Sequence, residues 1–330
     1  MQRGRAVLKS MKKTLTQWVT RALEKNSCGA TIAQPVKSQI WSIGIFAGNS
    51  PLEVGPSQSI NNPVLTRDSV SDVHAIFVAD PFMLQSQGTW HMFFEVMNAR
   101  AGRGEIGLAT SQNTVDWHYQ QIVLREPFHL SYPYTFKWND AYYMVPESYQ
   151  AKSVRLYKAE EFPNHWTFVK TLLEGDEFVD PTIFHLKDRW WLFTDFARPP
   201  FYAGVLRLFY ADRLEGPWAE HPKSPVVEGN PRIARPAGRV VVVNEKLVRF
   251  GQDCYPTYGT QVRAFEITEL SDTQYEEHEF RATPILEGSG LGWNQSGMHH
   301  IDAQPTGDGR WLACVDGFQW QTQDEAPTKN

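Results

Sequence analysis

The 330-residue chain carries 32 Lys and Arg against 37 Asp and Glu, a net charge of -5, with 42% hydrophobic and 13% aromatic residues. This composition can bury a sizeable core and offers no electrostatic reason to expect a nucleic-acid partner. Three widely spaced cysteines (Cys28, Cys254, Cys314) without a CxxC pair argue against a disulfide scaffold or zinc module and for a reducing, cytoplasmic setting.

No window approaches 18 apolar residues, so no transmembrane helix is expected, and the N-terminus lacks the apolar run of a secretory signal. Residues 1–25 instead space Leu8, Met11, Leu15, Trp18 or Val19, and Ala22 or Leu23 at helical intervals, among seven Lys and Arg and one Glu. The spacing predicts a basic amphipathic helix and linker over residues 1–37. Packing on its own domain, or linking to a partner, suits this segment better than peripheral contact with an anionic membrane, because one short helix with one Trp is a weak membrane signal.

From about residue 38 short β-rich runs take over, separated by Gly, Pro, Asn and Asp clusters. A pattern recurs in "ADPFMLQSQGTWHMFFE" (79–95), "SYPYTFKWNDAYYMVPE" (131–147) and "VDPTIFHLKDRWWLFTD" (179–195). Looser copies stand at "ARPAGRVVVVNEKLVRFGQD" (234–253) and "HIDAQPTGDGRWLACVD" (300–316). Each is a strand, a polar turn, a second strand and an acid, at roughly 47–67-residue spacing, which fits one propeller blade per repeat. The segments 104–111, 153–162, 205–218 and 260–270 supply outer strands for blades one to four. Little chain follows the fifth hairpin, so "QIWSIGIFAG" (39–48) is expected to complete that blade and close the ring. The fold class is therefore all-β: a five-bladed β-propeller over 38–320, a short N-terminal helix before it and a polar tail over 321–330.

In an antiparallel hairpin the start of the first strand meets the end of the second. Inner hairpins line the channel of a propeller, so five such ends converge on one funnel. The pairs are Asp80 with Glu95, Pro133 with Glu147, Asp180 with Asp195, Arg235 with Asp253, and Asp302 with Asp316. For any single pair, turn chemistry or an Arg partner explains the acid adequately. Acidic strand ends repeated across three blades point further, to carboxylates whose mutual repulsion raises pKa values, as glycoside hydrolysis needs. Asp195 and Asp316 are the weakest members. His129, Ser131 and Tyr132 lie near the same rim, as do Arg249, Asp253, His299, His300 and Asp302. Strand alternation sends His299 and His300 to opposite faces, which favours hydrogen bonding over a metal site. Tyr132, Trp90, Trp190 and Trp293 are candidate sugar platforms, although a core role is the default for Trp190. No Gly-rich phosphate loop is present, and no cofactor or metal is expected.

The motifs "ADPF", "HLSYPY", "MVPES", "VDPTIF", "GQDC", "YG" and "HHID" together resemble the N-terminal domain of plant glucosamine inositolphosphorylceramide transferase and its bacterial relatives, over roughly residues 40–318. The resemblance implies a five-bladed propeller related to glycoside hydrolase family 43. It does not carry transferase activity, which belongs to a separate C-terminal domain of the plant proteins. In the hydrolase families a blade-one acid is base or nucleophile, an acid two blades later tunes pKa, and a Glu on the next blade donates the proton. Asp80 matches the first position and Asp180 the second, but Arg235 stands where the third requires Glu. The donor must then be Glu147, Glu95 or Asp253, with Glu147 favoured by its apolar neighbours Val145 and Pro146.

The expected protein is carbohydrate-active, a glycoside hydrolase-like enzyme acting on a glycan or glycoconjugate. Asp80, Glu147 and Asp180 would be catalytic. Glu95, His129, Tyr132, Arg235, Arg249, Asp253, His299, His300 and Asp302 would bind the sugar. The alternative is a non-catalytic glycan-recognition module serving a glycosyltransferase partner.

Overall fold

The computed structural model describes residues 37–196, 204–280 and 284–322. The helix expected over residues 1–37 lies, but for its last residue, outside the described residues, as does most of the polar tail. Two strands precede the first repeat, β1 (Lys37–Gly48) and β2 (Val54–Pro56). Blade one is β3 (Ala75–Ser86), β4 (Thr89–Asn98), β5 (Arg103–Ser111) and β6 (His118–Leu124). Blade two is β7 (Ser131–Trp138), β8 (Ala141–Glu147), β9 (Ser153–Glu161) and β10 (His165–Glu174). Blade three is β11 (Phe178–Leu186), β12 (Arg189–Phe196) and β13 (Val205–Ala211), edged by β14 (Ala219–Glu220) and β15 (Val227–Glu228). Blade four is β16 (Val241–Val243), β17 (Lys246–Asp253) and β18 (Gln261–Leu270), edged by β19 (Tyr275–Glu279) and β20 (Leu286–Glu287). Blade five joins β21 (Ile301–Pro305) and β22 (Trp311–Thr322) to β1 and β2 in the order β2-β1-β22-β21.

Residues 39–48 thus close the ring as expected. β1 pairs with β22 along its whole length, from Lys37 opposite Thr322 to Gly48 opposite Trp311. The ladder carries β22 two residues past 320, into the stretch expected to be tail. One face of β1 supplies Ile43 and Ile45 to a cluster shared with blade one, and the other supplies Phe46 to one shared with blade four. Three further clusters lie between blades one and two, two and three, and three and four. Alternating apolar residues on each strand therefore supply one seam per blade interface, and burial of these seams by the hydrophobic effect holds the ring together.

The strand starts are broken in a repeated way. The ladders shift register between Ala79 and Phe82, between Ser131 and Tyr134, and between Val179 and Thr182. Within each shift stands a residue in the left-handed region before a proline: Asp80 (φ 53°), Tyr132 (φ 46°) and Asp180 (φ 48°). A bulge re-aims one side chain and leaves backbone groups unpaired. In blade one the freed Pro81 carbonyl accepts from His300 Nε2 (2.9 Å) and Cys314 Sγ (3.0 Å).

Below this level side chains fill the channel. Phe82, Tyr132 and His300 pack edge to face, and the Tyr132 hydroxyl meets Thr182 Oγ1 at 2.7 Å. Deeper still, Arg239 donates to Asp302 Oδ1 (2.7 Å) and to the Thr135 carbonyl (2.9 Å), while Asp302 Oδ2 accepts from the Met83 amide (2.8 Å). The site above is therefore a funnel with a filled floor.

The closing strand generates the first prediction. Ile43 has no exposed surface, so Ile43→Ala should destabilise the protein by about 2–5 kcal/mol, read as a lower midpoint in chemical denaturation. An unchanged midpoint would mean that β1 does not clasp the ring.

Candidate functional site

Three connected groups of side chains line the funnel. In the first, His299 lies between two acids. Its Nδ1 meets Asp316 Oδ1 at 2.7 Å, and its Nε2 faces Asp80 Oδ1 at 3.4 Å. The other oxygen of Asp316 accepts the Asp80 amide at 2.9 Å, a donor released by the bulge. Burial opposes a charge on His299, but Asp316 outweighs it and holds the imidazole above its ordinary value. Burial pushes Asp80 up to about 7, with His299 pulling the other way.

In the second group Asp180 Oδ2 accepts from Arg235 Nε (2.5 Å) and from Gln252 Nε2 (2.7 Å). Glu147 Oε2 accepts the Asp180 amide at 3.0 Å and lies 3.5 Å from Arg235 Nη2. Burial, then the Asp180 charge, holds the Glu147 carboxyl well above its usual range, partly offset by Arg235. The third group is Glu95 with His129. Nδ1 of His129 accepts the Gly104 amide at 2.9 Å, which leaves its single proton on Nε2, 3.5 Å from Glu95 Oε1. Burial, with Arg235 nearby, lowers His129 to about 4, so it is neutral at pH 7. Burial and then the charges of Asp80, Glu147, Asp316 and Asp180 all push Glu95 well above its usual range.

This crowding requires glycine at 104. An added Cβ would fall 2.3 Å from the Leu130 carbonyl and 2.7 Å from Glu95 Oε1. Gly259, at φ 77°, is bound in the same way: a Cβ there would meet the Trp41 ring at 2.4 Å. The neighbouring Tyr258 has its ring centroid 5.0 Å from that of His299, and the Arg235 guanidinium lies 5.1 Å from it.

Asp80, His299 and Asp316 bring one donor atom each within 4.8 Å, the one such group among the described residues. Asp316 Oδ1 is bonded to His299 Nδ1 and Asp316 Oδ2 accepts the Asp80 amide, so a cation here would compete with bonds the three residues already make to one another. The arrangement suits a proton better.

Residues 33–318 match the family model described as glucosamine inositolphosphorylceramide transferase 1, N-terminal. The chain belongs to this family. It is 35% identical over 301 residues to glucosamine inositolphosphorylceramide transferase 1 of Oryza sativa subsp. japonica, covering 84% of this chain and 40% of that protein. The Arabidopsis thaliana protein of the same name gives 35% over 300 residues, 84% and 39%. The chain thus spans about two-fifths of the length of these curated relatives. Among solved structures, the catalytic domain of the Coprinopsis cinerea GH62 α-L-arabinofuranosidase aligns with a TM-score of 0.56 at 12% identity, covering 84% of this chain and 96% of that one. A thermostable family-43 glycoside hydrolase gives 0.54 at 14% identity, 82% and 98%. These likenesses show that the family's domain shares the five-bladed fold of glycoside hydrolases.

Among the residues expected at the site, the funnel brings together Asp80, Glu95, His129, Glu147, Asp180, Arg235 and His299. Tyr132 and His300 lie beneath them in the channel floor, and Asp302 lies deeper, on Arg239. Arg249 does not reach the funnel, because its guanidinium bonds Glu277 of the outer strand β19. Asp253 is likewise turned away, onto Arg232 and Arg263. The side-chain amide of Gln252 donates to Asp180, so Gln252 and not Asp253 is the inward residue of β17. Asp302 faces Cys314 and not Asp316, which instead serves Asp80 and His299. Of the expected sugar platforms, Trp90, Trp190 and Tyr132 are buried, and Trp293 packs on the core between blades four and five. Gln252, Gly104 and Tyr258 escaped sequence reasoning.

Asp80 sets a pH dependence whose sign can be worked out. Its folded value of about 7 exceeds the ordinary 3.8, so between these values the native state keeps a proton the unfolded chain has lost. This contribution to stability is full below about pH 4 and is lost as pH rises through about 7. Asp80→Asn, which tolerates the left-handed backbone, should therefore stabilise the protein by on the order of 2–4 kcal/mol more at pH 8 than at pH 4. Thermal unfolding of both proteins across that range checks it, and a gain largest at low pH would contradict it.

Proposed function

We propose that the domain is a glycoside hydrolase-like enzyme that cleaves a sugar from a glycan or glycoconjugate. The observation that carries this is Asp80 Oδ1, a carboxylate oxygen buried without a hydrogen-bond partner and facing a histidine held by a second acid. A scaffold gains nothing from leaving such an atom unsatisfied, whereas a general base near pH 7 requires one. In this reading Asp80 takes the proton of an attacking water, or attacks the anomeric carbon itself. His299, oriented by Asp316, holds Asp80 in place. Glu147 gives its proton to the departing glycosidic oxygen, and Asp180, fixed by Arg235 and Gln252, keeps that proton on Glu147 through its charge.

A second reading has its own support. Arg235 stands where the related hydrolases place their donor and is bound to Asp180 and near Glu147, as in a site that recognises a glycan without cleaving it. The test is hydrolysis of a broad panel of glycosides by the parent protein, Asp80→Asn and Glu147→Gln, with binding measured in parallel. The enzyme reading expects both substitutions to lower turnover on the order of 10²–10⁴-fold while binding persists. Binding without turnover in all three proteins would establish the recognition module instead.

A further inference from the structure

The aromatic residues beyond the funnel acids take no part in the proposed reaction. β22 does not stop at Asp316 but runs on to Thr322, paired with β1 throughout. Side chains two apart on a strand share a face, so Asp316, Phe318 and Trp320 stand on one face of β22. Trp41 lies opposite Phe318, and Gln39 opposite Trp320. Rings then follow one another outward from the acids. His299 lies 4.1 Å from Trp41, Trp41 4.6 Å from Phe318, and Phe318 5.4 Å from Trp320, centroid to centroid. Trp41 and Phe318 are buried, whereas Trp320 is 39% exposed. It stands four residues past Asp316, about 13 Å at the usual strand rise.

A second exposed ring flanks the same mouth. Gln39 donates to the carbonyl of Tyr258 at 3.1 Å, which ties the β1–β22 ribbon to the loop between β17 and β18. Three residues before Tyr258 in that loop, Tyr255 is 54% exposed, with the Arg232 guanidinium 4.4 Å from its ring centroid. Six large hydrophobic side chains are exposed among the described residues, and the two that are Trp or Tyr both stand at the funnel end. Single exposed hydrophobic residues are ordinary, but a Trp joined to a buried acid by a row of rings has a place in the site. Two rings are too few for a protein interface, which takes about 800 Å² per partner. A sugar fits them. Its ring carries C–H groups on its faces and hydroxyls at its edge, so it can stack on an aromatic face while its edge stays in water.

We propose that Trp320, flanked by Tyr255, is the platform on which a sugar unit beyond the one held by the acids stacks. The substrate is then a chain of sugars, not a single sugar joined to a non-sugar group. This inference rests on the carbohydrate-processing reading above and names the form of substrate it acts on.

The experiment is calorimetric titration of the full chain carrying Asp80→Asn, which holds back turnover. The probes are arabinose, galactose, glucose and mannose, each as the methyl glycoside and as chains of increasing length. In a series that binds, affinity should rise on the order of tenfold from the methyl glycoside to the chain that reaches Trp320, and then level off. Adding Trp320→Ala should bring that chain back to the affinity of the methyl glycoside. Phe168→Ala, which removes an exposed ring from the outer strand β10, should keep the gain. The indole N–H resonance of Trp320, assigned with Trp320→Phe, should shift with the chain and not with the methyl glycoside, which decides the matter if Trp320→Ala does not fold. Affinity independent of chain length, a gain that survives Trp320→Ala, or one that Phe168→Ala also removes, would overturn the inference and leave the hydrolase reading intact. If no sugar of any length binds, the carbohydrate reading falls and this inference falls with it.

Discussion

The break in the first strand of blades one, two and three is the constraint on which the funnel depends. At Asp80, Tyr132 and Asp180 the backbone turns left-handed just before a proline, which costs on the order of 1–3 kcal/mol for a residue other than glycine. The break frees an amide and a carbonyl in a place where regular pairing would have consumed both. The freed amides of Asp80 and Asp180 are taken by Asp316 and Glu147, carboxylates of a neighbouring blade. The bulges of blades one and three thus each lock one blade to the next through the very groups that make up the site. Geometry and chemistry at the mouth share one cause.

Closure of the ring makes this strain tolerable. Blade five is built from both ends of the described chain, and the β1–β22 ladder locks the five seams into one cooperative body. A filled channel floor then holds the acids from below and shields them from solvent. Burial is what separates the carboxylates from ordinary surface acids, because removal of water raises their pKa values before any neighbour acts. The same burial would destabilise the protein at high pH, a familiar trade of stability against function.

Much of this arrangement is legible in the sequence, and the reason is repetition. Five copies of one hairpin pattern reveal the blades, the seam residues and the end at which the acids gather, and the short fifth copy reveals that residues 39–48 must close it. Asp80, Glu147 and Asp180 follow from their places in the repeat. What the sequence hides is parity. A one-residue bulge moves Asp80 and Asp180 out of the ladder, and on β17 it is Gln252, not Asp253, that faces Asp180. A further shift of two residues separates Asp302 from Asp316. Arg249 misled for the same reason, since its inward or outward direction is decided by the strand's register against Phe265 and not by its place in the motif. Contacts across blades, such as His129 with Glu95 or Arg235 with Asp180, join residues whose proximity only the closed ring creates.

The central claim is that burial in this funnel raises the pKa values of its carboxyl groups above the ordinary range. Site-resolved ¹³C NMR titration of the Asp and Glu side-chain carboxyl carbons, assigned with Asp80→Asn and Glu95→Gln, reads it directly. The account predicts that Asp80 titrates at about 7 and Glu95 well above the ordinary carboxylate range, with Asp316 below that range. Titration of Asp80 and Glu95 near pH 4, as for exposed acids, would contradict it.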